Sequence, residues 1–303
     1  MFLAIYRKTL GDLSEPKAIL TYLVVFAAVL WFLLLGFTNN EIPDAVADLP
    51  LAEQELELLA AYVPLAWLWG VGIGLLAAGS LFVALTLATE ADRGTLDLLL
   101  SKPVRRWEVL FATFLANVSF LFAVGVASLL LVAVFLYQMG GFSAAALGEG
   151  VFAVLPATLL YLLVVCALVN AVGMAASVAT RNRLQTAAVT AVVPVLFLVL
   201  FVARLVPGSI YEDYYLYAVD VSYHLGNVYA LLLGAVGGPM PVELQAQLGF
   251  WAGVYEVPGG QGMPEESLEL VGYVDPAVSL ALCLLLTGGL LAAALVKFQR
   301  LDV

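Results

Sequence analysis

The sequence predicts an all-α polytopic membrane protein with six transmembrane helices and both termini in the cytoplasm. Three observations lead there. Of 303 residues, 63% are hydrophobic and only 12% charged, where a soluble domain carries about 25% charged residues. Mean hydropathy is +1.04, and six apolar runs approach or exceed the ~20 residues a spanning helix needs. When those runs are laid across a bilayer, all but one of the 12 basic residues fall on one side.

Residues 1–16 read as an amphipathic interfacial helix. Phe2, Tyr6, Leu10 and Leu13 recur at helical spacing, while Arg7, Lys8 and Asp12 face elsewhere. Such a helix lies flat among the lipid headgroups, its basic residues near anionic lipid, or packs against other protein. Pro16 turns the chain into the first span, 19–35. The first extracytoplasmic loop, 36–63, carries Pro43 and Pro50 and then a stripe of Ala52, Leu56, Leu59 and Val63, with Glu53, Glu55 and Glu57 on other faces. That stripe is a short amphipathic helix feeding the second span, 65–88. Within it Gly70, Gly74 and Ala78 stand four apart, a spacing that permits close helix contact or arises by chance in a Gly- and Ala-rich run.

The third, fourth and fifth spans are 109–137, 151–178 and 184–202, and the sixth is 277–296. Between the last two lies the large extracytoplasmic loop, 203–276, with aromatic clusters, Gly- and Pro-rich breaks and an amphipathic helix over 242–250. Its apolar patch 230–236 is too short to span. The chain 1–303 is thus a single transmembrane domain.

The charges set the orientation. Arg7, Lys8 and Lys17 precede the first span. Arg93, Lys102, Arg105 and Arg106 lie between spans two and three, Arg181 and Arg183 between four and five, and Lys297 and Arg300 after six. Basic residues in short loops stay cytoplasmic, which places both termini inside and leaves Arg204 alone outside. Carboxylates concentrate on the outer loops and give the chain its net charge of −11. They have little say in orientation, so this skew is a surface property. It resembles the acidic surfaces of proteins from high-salt organisms, or it is simply a set of solvated loops.

Several chemistries find no support. Cys166 and Cys283 sit inside apolar runs without C-x-x-C spacing and read as small buried hydrophobes. His224 has no His or Cys partner for a metal. The N-terminal order of apolar residues and charges is the reverse of a signal peptide. No carboxylate, Lys or His stands near a bilayer centre, where ion-coupled transporters keep them. Neither H-E-x-x-H nor G-x-S-x-G occurs, which speaks against a membrane enzyme. Asn117, Asn170 and Thr190 line a transport path or make interhelical hydrogen bonds.

The segment 90–106 stands out. Glu90 and Arg93 sit at the water edge, and Gly94 allows a sharp turn. Asp92 or Thr95 can cap a new helix. Leu96, Leu99 and Leu100 form one apolar face of about two turns, and Pro103 ends it. Arg105 and Arg106 follow, and Trp107 sits where an interfacial anchor belongs. On physics alone this is either a basic loop with its leucines in lipid or a short lever tied to two spans.

The pattern E-x-x-R-G-T-L-x-x-L-L-x-x-P-x-x-R-x-x-x-L, carried by Glu90, Arg93, Gly94, Thr95, Leu96, Leu99, Leu100, Pro103, Arg106 and Leu110, resembles the signature between spans two and three of type-2 ABC transporter permeases. The basic N-terminal helix, the six spans and the large outer loop resemble that family too. The resemblance implies that 90–106 is a coupling helix docking in a cleft of a cytoplasmic ATP-binding cassette subunit, with Arg181 and Arg183 a second, smaller contact. It implies an exporter of two permease chains, a homodimer in lipid, with two ATPase chains and no nucleic acid. No G-x-x-x-x-G-K-[ST] loop is present, so ATP and magnesium belong on the partner, and this chain is no enzyme by itself. The acidic first outer loop is longer than in the simplest members.

Overall fold

Among the described residues, six helices are long and apolar enough to cross a membrane. The computed structural model describes residues 2–38, 46–96, 105–206, 210–236, 240–257 and 267–300. Within these the fold is helical apart from one antiparallel bridge, Tyr255 with Leu270. The spans are Pro16–Thr38, the path Leu51–Asp92, Arg106–Met139, Ala144–Thr180, Arg183–Leu205 and Pro276–Gln299. Hydropathy places each of them, with the helices running a few residues past the apolar runs into water.

Burial separates core from periphery. In the apolar 18-residue stretch of each span, 78% of the residues are buried in the second, 50% in the third and fourth, and only 17%, 28% and 17% in the first, fifth and sixth. The peripheral spans turn leucine, valine and phenylalanine outward, as at Phe32, Val199 and Leu285. In water such faces would demand a partner; in a bilayer, lipid tails are as apolar as leucine.

The second span is not one α-helix. It runs α-helical from Leu51 to Leu65, π-helical from Ala66 to Ile73, α-helical again from Gly74 to Ala84, and restarts over Leu87–Asp92. Pro64 lies inside the first stretch and removes one backbone donor. Two glycines make room for the widened turns. A Cβ at Gly72 would stand 2.5 Å from the Trp67 carbonyl oxygen, and one at Gly74 2.6 Å from that of Trp69. The wide turn also splits the four-residue repeat of small residues: Gly70 faces Leu129 of the third span, while Gly74 faces Phe26 of the first. Trp67 packs on Phe197 and Phe201 of the fifth span, and Trp69 stacks on Phe26.

The N-terminal helix, Phe2–Leu13, buries Ile5, Thr9 and Leu13 along the third span. Of the two settings the sequence allows, protein packing holds its inner face, with Leu3 and Arg7 turned outward.

The region after the fifth span is more than a loop. A helix, Val221–Val236, packs against the fourth, fifth and sixth spans. Its Tyr229 stacks on Tyr161 at 4.6 Å between ring centres, and the Tyr229 and Thr158 hydroxyls lie 2.7 Å apart. His224 Nδ1 is 3.0 Å from Ser279 Oγ, and Asn227 donates to that same oxygen. A second helix, Val242–Ala252, packs on Leu51–Leu65.

Arg204, the one basic residue on this end among the described residues, is explained by burial. Its guanidinium lies 3.4 Å from the fully buried Asp220 carboxylate and donates to the Trp251 and Ala252 carbonyls at 2.7 Å each. Asp220 also accepts from Tyr211 Oη and from the amide and hydroxyl of Ser222. Burial, and next the Asp220 carboxylate, push the Tyr211 phenol up. This network fastens the fifth span to both outer helices. Asp220→Ala leaves a buried guanidinium without its counter-charge, an expected loss of about 3–5 kcal/mol. The measurement is the unfolding midpoint in detergent, and the Arg204→Met/Asp220→Leu pair recovers most of the loss.

Candidate functional site

At the end of the bundle that holds both termini, the second span breaks without proline or glycine. Leu85 and Thr86 leave the helix, Thr86 at φ −101° and ψ −109°. Breaking a helix frees carbonyls that need donors. The Thr86 hydroxyl donates to the Val83 carbonyl at 2.8 Å, and the Thr89 hydroxyl to that of Ala84 at 2.9 Å. Asn117 of the third span donates to Thr86 Oγ1 at 3.2 Å. Asn117 thus braces the break. Asn170 and Thr190 bond the backbone of their own helices.

The short helix Leu87–Asp92 then carries two carboxylates in opposite directions. Glu90 pairs with Lys8 of the N-terminal helix. Asp92 accepts from the Asn182 amide at 3.1 Å and lies 3.8 Å from the Arg183 guanidinium. Pairs this exposed contribute ~0–1 kcal/mol; what they set is position. The Asn182 side chain also caps the following helix, accepting from the amides of Leu184 and Gln185 at 3.0 Å. Arg181 before it adopts φ +52°, a left-handed conformation uncommon outside glycine. The loop that the sequence proposes as a second contact is therefore fastened to the first segment through Asp92.

Gly94 takes φ +70°, and its amide bonds the Ala91 carbonyl at 3.1 Å, ending the helix by the left-handed turn expected of it. Thr95 and Leu96 are helical again. The Thr95 hydroxyl donates back to the Glu90 carbonyl at 3.1 Å. Leu96, assigned from sequence to the apolar docking face, is only 2% exposed and belongs to this chain's own core; it anchors the segment. Leu99, Leu100 and Pro103 lie outside the described residues.

The chain re-enters at Arg105, exposed and extended, whose carbonyl receives the amides of Glu108 and Val109 as the third span begins. Arg106 Nη1 donates to the carbonyls of Phe298 and Gln299 at 3.2 and 2.9 Å. A cation there meets the negative end of the sixth helix. Arg93 projects into solvent.

The site thus unites five elements. One limb of the segment is tied through Glu90 and Asp92 to the N-terminal helix and the four–five loop. The other is tied through Arg106 to the end of the sixth span. Sequence reading places Glu90, Arg93, Gly94, Arg106 and Arg183 at one membrane face. The partners Lys8, Asn182 and the Phe298 and Gln299 carbonyls come only with the tertiary structure.

The family model described as ABC-2 family transporter protein matches residues 5–303. Among curated proteins, none matches the chain.

Arg106→Gln removes the charge from the sixth helix end, an expected cost of about 1–2 kcal/mol. Amide exchange near the described end of that helix is expected to accelerate roughly five- to thirtyfold, read by hydrogen–deuterium exchange with mass detection.

Proposed function

This chain belongs to the ABC-2 transporter family as a multi-pass membrane permease, and we propose that it couples ATP hydrolysis on a separate cytoplasmic subunit to export of a substrate. The observation that carries this reading is the segment 90–106, whose two limbs are tied to different spans. A push there reaches more than one element of the bundle. Glu90 and Asp92 carry it to the N-terminal helix and the 181–183 loop, and Arg106 carries it to the sixth span.

In this reading the basic end of the bundle faces the cytoplasm, in keeping with the retention of basic loops. Arg93 and Arg105 are exposed there and set the register of docking, while Leu99 and Leu100 supply its apolar face. Fully burying two leucines in a partner's groove contributes roughly 1.5–3 kcal/mol each. Arg181 and Arg183 form the second contact. The working unit is two copies of this chain with two ATPase subunits, with ATP and magnesium held by the ATPases. Nucleotide binding draws the ATPases together, tilts both segments and switches the spans between inward and outward access.

Purified from native membranes in mild detergent, the tagged chain is expected to bring down an ATP-binding cassette subunit, identified by peptide sequencing. Arg93→Glu with Leu99→Asp is expected to abolish that recovery while leaving insertion in the membrane unchanged. Undiminished recovery refutes the docking role.

A further inference from the structure

Between the first and second spans a slot of about 670 Å³ opens sideways. Its walls are apolar and partly small: Ala18 and Val25 on one side, Ile73, Ala77 and Leu81 on the other. Val25 is 57% and Leu81 63% exposed, so the slot faces what surrounds the protein. Phe26 and Trp69, stacked 5.4 Å apart, line its far end. The Trp69 indole N–H donates to the Phe26 carbonyl at 3.3 Å and holds that end shut. At the near end stand Lys17 and Glu15, both exposed. Neither has an ion pair among the described residues.

Dimensions select the occupant. The first-span wall runs from Glu15 to Phe26 and the second-span wall from Leu85 back to Trp69, which at ~1.5 Å per residue is roughly 15–25 Å of helix. Half the hydrocarbon core of a bilayer is ~15 Å. The slot therefore begins at the membrane surface on the side of the termini and ends near the midplane. An apolar slot of this length, open along its side, takes an extended hydrocarbon chain lying along the two helices. A cation stands at the headgroup level, where lysine attracts anionic lipid.

We propose that this slot binds one acyl chain of a phospholipid from the leaflet on the side of the termini, with the lipid phosphate at Lys17. The site is independent of any ATPase, so its test leaves the transport reading untouched.

The full-length chain is reconstituted in phosphatidylcholine–phosphatidylglycerol vesicles containing phosphatidylglycerol with a photoreactive diazirine in its acyl chain. Cross-links are expected on Val25, Ile73, Ala77 and Leu81 above the level at Leu285, an exposed residue of the sixth span that reports ordinary boundary lipid. Ala77→Trp, which fills the slot from an exposed position, is expected to bring slot labelling down to the Leu285 level. Lys17→Glu is expected to weaken it about fivefold or more, the scale of one basic residue at an anionic surface. The unaltered chain is also expected to retain one phospholipid per copy by native mass spectrometry, a readout that needs no variant. Slot labelling no higher than at Leu285 overturns the proposal. So does a high yield of disulfide-linked dimer from Ala77→Cys in membranes, which assigns the slot to a second copy.

Discussion

Burying a 42-residue helical path inside a bundle leaves its backbone no water to fall back on, so wherever the second span departs from α-helix the protein itself must supply partners. Contacts at those departures organise the molecule. At the π-helical stretch, Trp67 and Trp69 reach in opposite directions, one to the fifth span and one to the first. At the Leu85–Thr86 break, two threonine hydroxyls take the freed carbonyls, and Asn117 of the third span holds Thr86 in place. The first, third and fifth spans are thus fixed by irregularities of the second. The fourth packs against its regular part.

Charge works differently at the two ends. On the terminal side the pairs are exposed, with Lys8 and Arg183 more than half open to solvent. Screening leaves such contacts little net stability, and their value is directional. On the opposite side, among the described residues, Arg204 and Asp220 form a buried pair bonded by carbonyls, hydroxyls and a backbone amide. A buried pair is costly to break once made. The two ends of the bundle are thus held by contacts of different kinds.

Much of this was legible in the sequence. Lipid removes the ambiguity that weakens sequence reading of soluble proteins, since a run of about 20 apolar residues has few alternatives to a spanning helix. The six spans, the helix before the second span and the turn at Gly94 follow from residue type alone. What escaped depends on neighbours. Pro64 and the glycines after it announce some irregularity, yet not that eight residues become π-helical. Thr86 carries no helix-breaking signature, and its break is stabilised by Asn117, 31 residues away. Residues 230–236 read as too short to span, which is true, but they continue a helix whose buried face includes Tyr223 and Tyr229. Leu96 shows the limit most clearly. A leucine stripe fixes which residues share a face, while only the tertiary structure decides whether each one meets a partner or the chain's own core.

The two limbs of the 90–106 segment differ in stiffness, and that difference gives the coupling reading a direction. The third span leaves the segment as 34 uninterrupted helical residues, about 51 Å of rod, long enough to carry a displacement from one membrane face to the other. The second span leaves it through a break only a turn and a half away. In the coupling proposed above, a push on the segment would tilt the third span as a body, while the second would bend at Leu85–Thr86. The Asn117–Thr86 hydrogen bond joins the two at that break. Beside the same break lies the near end of the acyl-sized slot, whose wall includes Leu85.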